Sequence, residues 1–141
     1  MLVPMRAILD AADKNDYAQG AFNVNAVCQA KAVINVHEMF RSPAILQGAD
    51  LANGFMGGRT DFANATLEDK KAGAKNIAAA VKKYGTDSRI PIALHLDHGR
   101  NMDSCIAAGR CIELCNDPAK YPEGTADKNY HSEIRIPIKR K

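Results

Sequence analysis

The sequence reads IPIALHLDHG from residue 90 to residue 99. Five of its first seven positions are apolar, which is typical of a strand buried in a parallel sheet. Three ionisable side chains crowd the end of this strand, namely His95, Asp97 and His98. Polar groups at the carboxyl end of a buried parallel strand usually face the mouth of the sheet, where α/β proteins place their active sites. The cluster is therefore a candidate active site, and a set of side chains that only bond one another and cap the strand is the alternative.

Two further strands are expected upstream of this one. Residues 17–24 combine small and apolar side chains around Gly20, and residues 43–47 contain a continuous apolar run. Helical spacing of apolar residues predicts helices over residues 5–14, 26–40 and about 67–84, while the glycines within residues 53–60 predict a loop. Strands that alternate with helices predict an α/β fold with a parallel sheet.

Periodicity alone leaves a barrel and an open doubly wound sheet equally possible, because both repeat the same strand and helix unit. The first predicted strand is not followed by a Gly-x-Gly-x-x-Gly motif. This weakens the alternative of a nucleotide-binding sheet.

Composition restricts the classes of partner. The chain has 141 residues, of which 46% are hydrophobic and 25% charged, so a single domain is expected. A net charge of +3 that is spread along the chain argues against nucleic acid as a partner. No apolar run approaches the roughly 18 residues of a membrane span, and the start does not resemble a secretory signal, so neither a membrane partner nor export is expected. We expect a cytoplasmic protein.

The four cysteines include no Cys-x-x-Cys pair and are expected to be reduced thiols. Three of them, Cys105, Cys111 and Cys115, could be combined with His131 as a metal site. Their spacing matches no common ligand pattern, so this site is not favoured.

Three motifs occur in a fixed order along the chain: GAFNVN at residues 20–25, SPAILQ at residues 42–47 and PIALHLDHG at residues 91–99. Together they resemble the first three strand motifs of the class II, zinc-dependent fructose-bisphosphate aldolases. The resemblance covers about residues 1–109, as the amino-terminal part of the barrel. Residues 110–141 are expected to form an irregular, divergent tail of unknown role.

The resemblance implies the first three strand-helix units of a (β/α)8 TIM barrel. It also implies a lyase of glycolysis that reversibly cleaves fructose 1,6-bisphosphate into dihydroxyacetone phosphate and glyceraldehyde 3-phosphate. Tagatose 1,6-bisphosphate aldolases share the same motifs. The expected partners are therefore a phosphorylated ketose and, as is usual in the family, further copies of the subunit.

By the same resemblance, Asp97 corresponds to the catalytic acid-base and His98 to one of three zinc-binding histidines. Asn23 corresponds to a residue beside the substrate. His95 is expected to support its neighbours and not to bind metal. The Zn2+ ion would act as a Lewis acid on the ketose carbonyl.

The chain departs from the family in two places. Residues 48–50 read GAD where the family commonly has a serine that can contact substrate. The similarity also fades near residues 107–109, before the remaining strand-helix units and the other zinc ligands. We therefore expect the isolated chain to be nearly inactive.

Two other hypotheses remain. The first is a non-catalytic fragment that associates with a complete aldolase subunit through the third strand. The second is an unrelated α/β module that binds metal through His95, Asp97 and His98 with the tail cysteines.

Overall fold

A computed structural model describes residues 1–98 of the chain. The helices are α1 (Met5–Lys14), α2 (Val27–Phe40), α3 (Asp50–Met56) and α4 (Leu67–Gly85), with one 3-10 turn at Phe62–Asn64. The strands are β1 (Ala21–Asn23), β2 (Ala44–Ala49) and β3 (Ile92–Asp97). All three predicted strands and all three predicted helices are present, although β1 is shorter than residues 17–24.

The three strands form one parallel sheet in the order β1-β2-β3. Helix α2 connects the first pair of strands, and α3 and α4 connect the second pair. This confirms the predicted α/β class with a parallel sheet. Any further barrel strands, and the predicted tail at residues 110–141, lie outside the described residues.

The sheet is covered on both faces, as the continuous apolar run of β2 predicts. Successive side chains of a strand point to opposite faces. Leu46 and Ile92, both fully buried, belong to the core cluster built with α2 and α4. Ile45 and Ala93 pack instead against Ile8 of α1. Burying a side chain such as Leu46 stabilises the fold by about 1.5–3 kcal/mol, so these two layers hold the sheet.

Helix α3 was not predicted. Its second half, from Asn53 to Met56, falls within residues predicted as a loop, and that part of the prediction is wrong. Glycine weakens a helix, but close packing requires it here. A Cβ atom on Gly54 would lie 2.7 Å from the Ala65 Cβ, and one on Gly73 of α4 would lie 1.7 Å from the Asn53 carbonyl oxygen. Tertiary contact between α3 and α4 therefore overrides local propensity.

Helix α4 begins at a capping box formed by Thr66 and Asp69. The Asp69 N–H donates to Thr66 Oγ1 at 3.2 Å, and the Thr66 N–H donates to Asp69 Oδ2 at 2.9 Å. The bond from the Thr66 backbone lowers the pKa of Asp69, because it favours the charged carboxylate. The capping box thus satisfies two backbone N–H groups at the start of the helix, those of Thr66 and Asp69.

Within residues 1–98, none of the helices has the length and apolar character needed to cross a membrane.

Candidate active site

Polar side chains converge where the three strands end. Asn23 is the last residue of β1 and is in register with Gln47 of β2, which is in register with His95 of β3. Asp97 ends β3 opposite Ala49. Because Gln47, His95 and Asp97 are separated from Ile45 or Ala93 by even numbers of residues, they share the face of the sheet on which α1 packs. Helix α1 covers the start of that face, and the polar residues occupy its carboxyl end.

Gln47 joins the two outer strands of this site. Its Nε2 donates to Asn23 Oδ1 at 2.8 Å and to Asp97 Oδ2 at 3.0 Å. Two predicted site residues, Asn23 and Asp97, are therefore brought together through a third. The sequence analysis assigned no role to Gln47. The signal available in the sequence was its position, since it is a polar residue directly after the apolar run of β2.

Asp97 and His98 stand next to each other at the end of β3. His98 Nε2 lies 3.4 Å from Asp97 Oδ1, and the two side chains are 83% and 24% exposed. The backbone of His98 has a φ of 51°, which is in the left-handed region. That conformation costs a non-glycine residue roughly 1–2 kcal/mol. The imidazole is left open to solvent beside a carboxylate that is mostly shielded.

His95 occupies a more enclosed position in the same strand. Burial lowers the pKa of its imidazole, and the nearby Asp97 carboxylate opposes this effect. The resulting pKa is lowered, which favours a neutral imidazole at neutral pH. A neutral imidazole beside Asp97 fits the predicted supporting role, since it adds no charge to the site.

A buried ion pair follows β2. Asp50, the first residue of α3, accepts a bond of 2.8 Å from the Lys70 ammonium of α4, and the two side chains are 4% and 14% exposed. A Cβ atom on Gly48 would lie 2.9 Å from both Asn53 and Ile77. Residues 48–50, where the sequence predicts a departure from the family, are therefore fixed by packing and by charge.

The described residues do not complete a metal site. No group of three or more His, Cys, Asp and Glu side chains that could hold a metal ion occurs within residues 1–98. Zinc in proteins is usually bound by three or four such ligands. The described residues therefore do not fit a zinc ion by themselves, and His98 is the exposed imidazole at the site. The candidate set of Cys105, Cys111, Cys115 and His131 lies outside the described residues.

Comparison with known proteins gives the context of this site. The sequence profile of the family described as fructose-bisphosphate aldolase class-II matches residues 3–116. The chain is 36% identical over 140 residues to the fructose-bisphosphate aldolase of Xanthobacter flavus, covering 98% of this chain and 35% of that protein. It is 37% identical over 116 residues to the Treponema pallidum enzyme of the same name, covering 79% and 30% of the two chains.

Other similar proteins have a different named substrate or a known structure. The 6-phospho-5-dehydro-2-deoxy-D-gluconate aldolase of Bacillus subtilis is 32% identical over 105 residues, which cover 73% of this chain and 31% of that protein. The crystal structure of the YdjI aldolase from Escherichia coli K12 superposes with a TM-score of 0.59 at 25% identity, covering 79% and 36% of the two chains.

The chain spans about a third of the length of the curated relatives it matches. The division at residue 109 stays a prediction. The profile match over most of the sequence and the three motifs at the ends of β1, β2 and β3 lead to one assignment: this chain belongs to the class II fructose-bisphosphate aldolase family.

Proposed function

We propose that the chain forms the amino-terminal part of the active site of a metal-dependent aldolase. The reaction is the reversible cleavage of fructose 1,6-bisphosphate into dihydroxyacetone phosphate and glyceraldehyde 3-phosphate. The observation that carries this proposal is the bridge of Gln47 between Asn23 and Asp97, at the carboxyl end of a parallel sheet in a class II aldolase family member.

Asp97 is the catalytic acid-base in this proposal. Its carboxylate is 24% exposed, so it is shielded but reachable, and its Oδ2 is held by Gln47. The other oxygen, Oδ1, takes the proton of the substrate's 4-hydroxyl on cleavage and returns it on condensation. Positioned general bases of this kind contribute about 10²–10⁴-fold to rate.

Asn23 contacts the substrate through its amide. The side chain is exposed at the end of β1 and its oxygen faces Gln47. Its nitrogen, on the other side of the amide carbon, is a donor suited to a substrate hydroxyl.

His98 is one ligand of a zinc ion whose other ligands lie outside residues 1–98. The high exposure of its imidazole supports this role, because a ligand must present a free ring nitrogen. Isothermal titration with zinc of a complete family enzyme that carries residues 1–109 of this chain tests it. We expect His98→Ala to weaken binding and His37→Ala, a change in α2 away from the site, to leave it unchanged.

The described sheet supplies the first three strands of a (β/α)8 barrel. Within residues 1–98, the outer edge of β3 is bridged at its start by Leu2, and β2 occupies its other edge. Beyond the Leu2 bridge, the outer edge of β3 can accept a further parallel strand. This supports continuation of the sheet towards a closed barrel.

A graft onto a complete enzyme tests the function without requiring activity of the 141 residues alone. Residues 1–109 replace the matching segment of the Xanthobacter flavus aldolase, and cleavage is followed by a coupled assay with and without zinc. Fructose 1,6-bisphosphate, tagatose 1,6-bisphosphate and 6-phospho-5-dehydro-2-deoxy-D-gluconate are compared, because the relatives and the shared motifs suggest all three. We expect zinc-dependent cleavage of the fructose substrate. A folded, zinc-loaded graft that cleaves none of the three contradicts the proposal.

Within residues 1–98, the β3 edge beyond the Leu2 bridge has no further strand beside it, and this supports a second candidate function. A fragment that presents an unpaired strand edge could add to the sheet of another chain. Size-exclusion chromatography of the 141-residue chain mixed with a complete aldolase separates the two functions. Co-elution supports association, and separate elution excludes it.

A further inference from the structure

We propose that Gln47 is a positioning residue that holds the Asp97 carboxylate and the Asn23 amide as one unit. This inference rests on the proposed function, in which Asp97 transfers the proton and Asn23 meets the substrate. Gln47 itself touches neither the proton nor the substrate.

The place of Gln47 in the sheet explains why it can do this. It lies on the central strand, in register with Asn23 on one side and His95 on the other. The three residues before it, 44–46, are buried, while Gln47 is only half-buried at the point where the face opens. A side chain here reaches the ends of both neighbouring strands, which no residue of an edge strand can do.

The chemistry of the amide fixes its orientation. An ionised carboxylate only accepts hydrogen bonds, so the NH2 group of Gln47 and not its oxygen must face Asp97. The same nitrogen uses its second proton on Asn23 Oδ1. Both N–H groups are therefore used, at 2.8 and 3.0 Å, and the bond to the carboxylate is the stronger, charge-assisted kind.

These bonds determine which atoms of Asp97 and Asn23 face Gln47 and which face away from it. Oδ2 of Asp97 is held by Gln47, and Oδ1 remains on the side of His98. Asn23 turns its oxygen to Gln47 and thus its nitrogen away from Gln47. A side chain with the shape of glutamine but without its N–H donors would release both groups, and Asp97 could then change rotamer.

Nuclear magnetic resonance of the full 141-residue chain at neutral pH tests the inference directly. The Hα–Hβ couplings of Asp97 report whether its side chain keeps one rotamer. We expect two unequal couplings in the wild type, and their convergence in Gln47→Met, which is nearly isosteric. The matched control is Gln19→Met, because Gln19 also donates two bonds through Nε2, to the carbonyls of Gly20 and Pro43, but outside the site. We expect the control to leave the Asp97 couplings unequal.

A second measurement does not depend on the folding of the Gln47 variant. In Asp97→Ala the carboxylate acceptor is lost, so the side-chain amide protons of Gln47 should shift upfield and the Asn23 amide signals should move with them. Unchanged Gln47 and Asn23 signals, or unequal Asp97 couplings in a folded Gln47→Met chain, overturn the inference.

The cleavage assay of the graft separates this inference from the proposed function. If the graft is active, Gln47→Met should lower kcat about 10–100-fold and change KM little, since loss of a supporting bond costs about that much. An unchanged kcat overturns the positioning role. An inactive graft refutes the proposed function alone, because the resonance measurements on the chain do not require turnover.

Discussion

Substitution of Gly73 by alanine should loosen the contact between α3 and α4 that fixes the end of β2. The added Cβ would lie 1.7 Å from the Asn53 carbonyl oxygen and 2.8 Å from the Gly57 nitrogen. These two atoms form the bond of 3.0 Å at the end of α3. Attractive contacts begin at about 3.5 Å, so the helices must separate by roughly 1.5–2 Å.

The magnitude follows from three opposing effects. Overpacking costs about 1–3 kcal/mol and a lost helix hydrogen bond about 1 kcal/mol. Alanine offsets about 1 kcal/mol, because it favours the helix over glycine by that amount. The net expectation for Gly73→Ala is a free energy of unfolding lower by about 2 kcal/mol.

Urea unfolding followed by circular dichroism measures this change. Gly85→Ala in the same helix is the matched control, because its Cβ would meet the ends of the Leu2, Ile92 and Ile34 side chains, at 3.1, 3.2 and 3.7 Å, and no backbone atom is among these nearest contacts. Flexible side-chain ends can move, so the control should change stability by less than about 1 kcal/mol. Equal stability of the Gly73→Ala and Gly85→Ala variants would refute the expected clash between α3 and α4.

Three further changes have defined outcomes. Lys70→Met removes the ammonium partner of the buried Asp50 carboxylate and should lower the free energy of unfolding by about 3 kcal/mol in the same urea assay. The control Lys71→Met breaks an exposed ion pair and should lower it by less than about 1 kcal/mol. Thr66→Ala removes the capping box of α4 and should lower that free energy by about 1 kcal/mol, and an unchanged midpoint would contradict the role of the cap. The folded-state pKa of His95 lies below its ordinary value of 6.5, so the unfolded chain binds more protons and stability should fall as pH falls below about 6.5. His95→Gln should reduce this slope, and an identical pH profile of thermal unfolding would exclude the effect.

The strands of this fold could be predicted because each is marked by a short run of neighbouring apolar residues. The run at residues 44–46 is apolar at every position and proves buried on both faces. The start of α4 could also be predicted, since Thr66 and Asp69 lie within one turn of each other. Helix α3 could not, because its Gly54 packs against Phe62 and Ala65 and its backbone packs against Gly73 of α4, and such contacts have no local pattern.

The site shows the same limit. Asn23, Asp97 and His98 were identified from motifs, and they meet at one edge because parallel strands end together. Gln47 was given no role from the sequence, because its bonds to Asn23 and Asp97 depend on register. A shift of β2 by one residue would place its side chain on the opposite face, towards α2 and α4. The sequence alone identifies the polar residues of the site. Only the pairing of the strands shows that Gln47 bonds to Asn23 and Asp97.

The most direct test of the proposed chemistry is the turnover of fructose 1,6-bisphosphate by the zinc-loaded graft with and without the Asp97 carboxylate. Asp97→Asn keeps the size of the side chain and removes the base, and Asp13→Asn, at an exposed position in α1, is the matched control. We expect Asp97→Asn to lower kcat by about 10²–10⁴-fold and Asp13→Asn to leave it unchanged. Equal turnover by the graft and its Asp97→Asn variant would contradict the assignment of Asp97 as the acid-base.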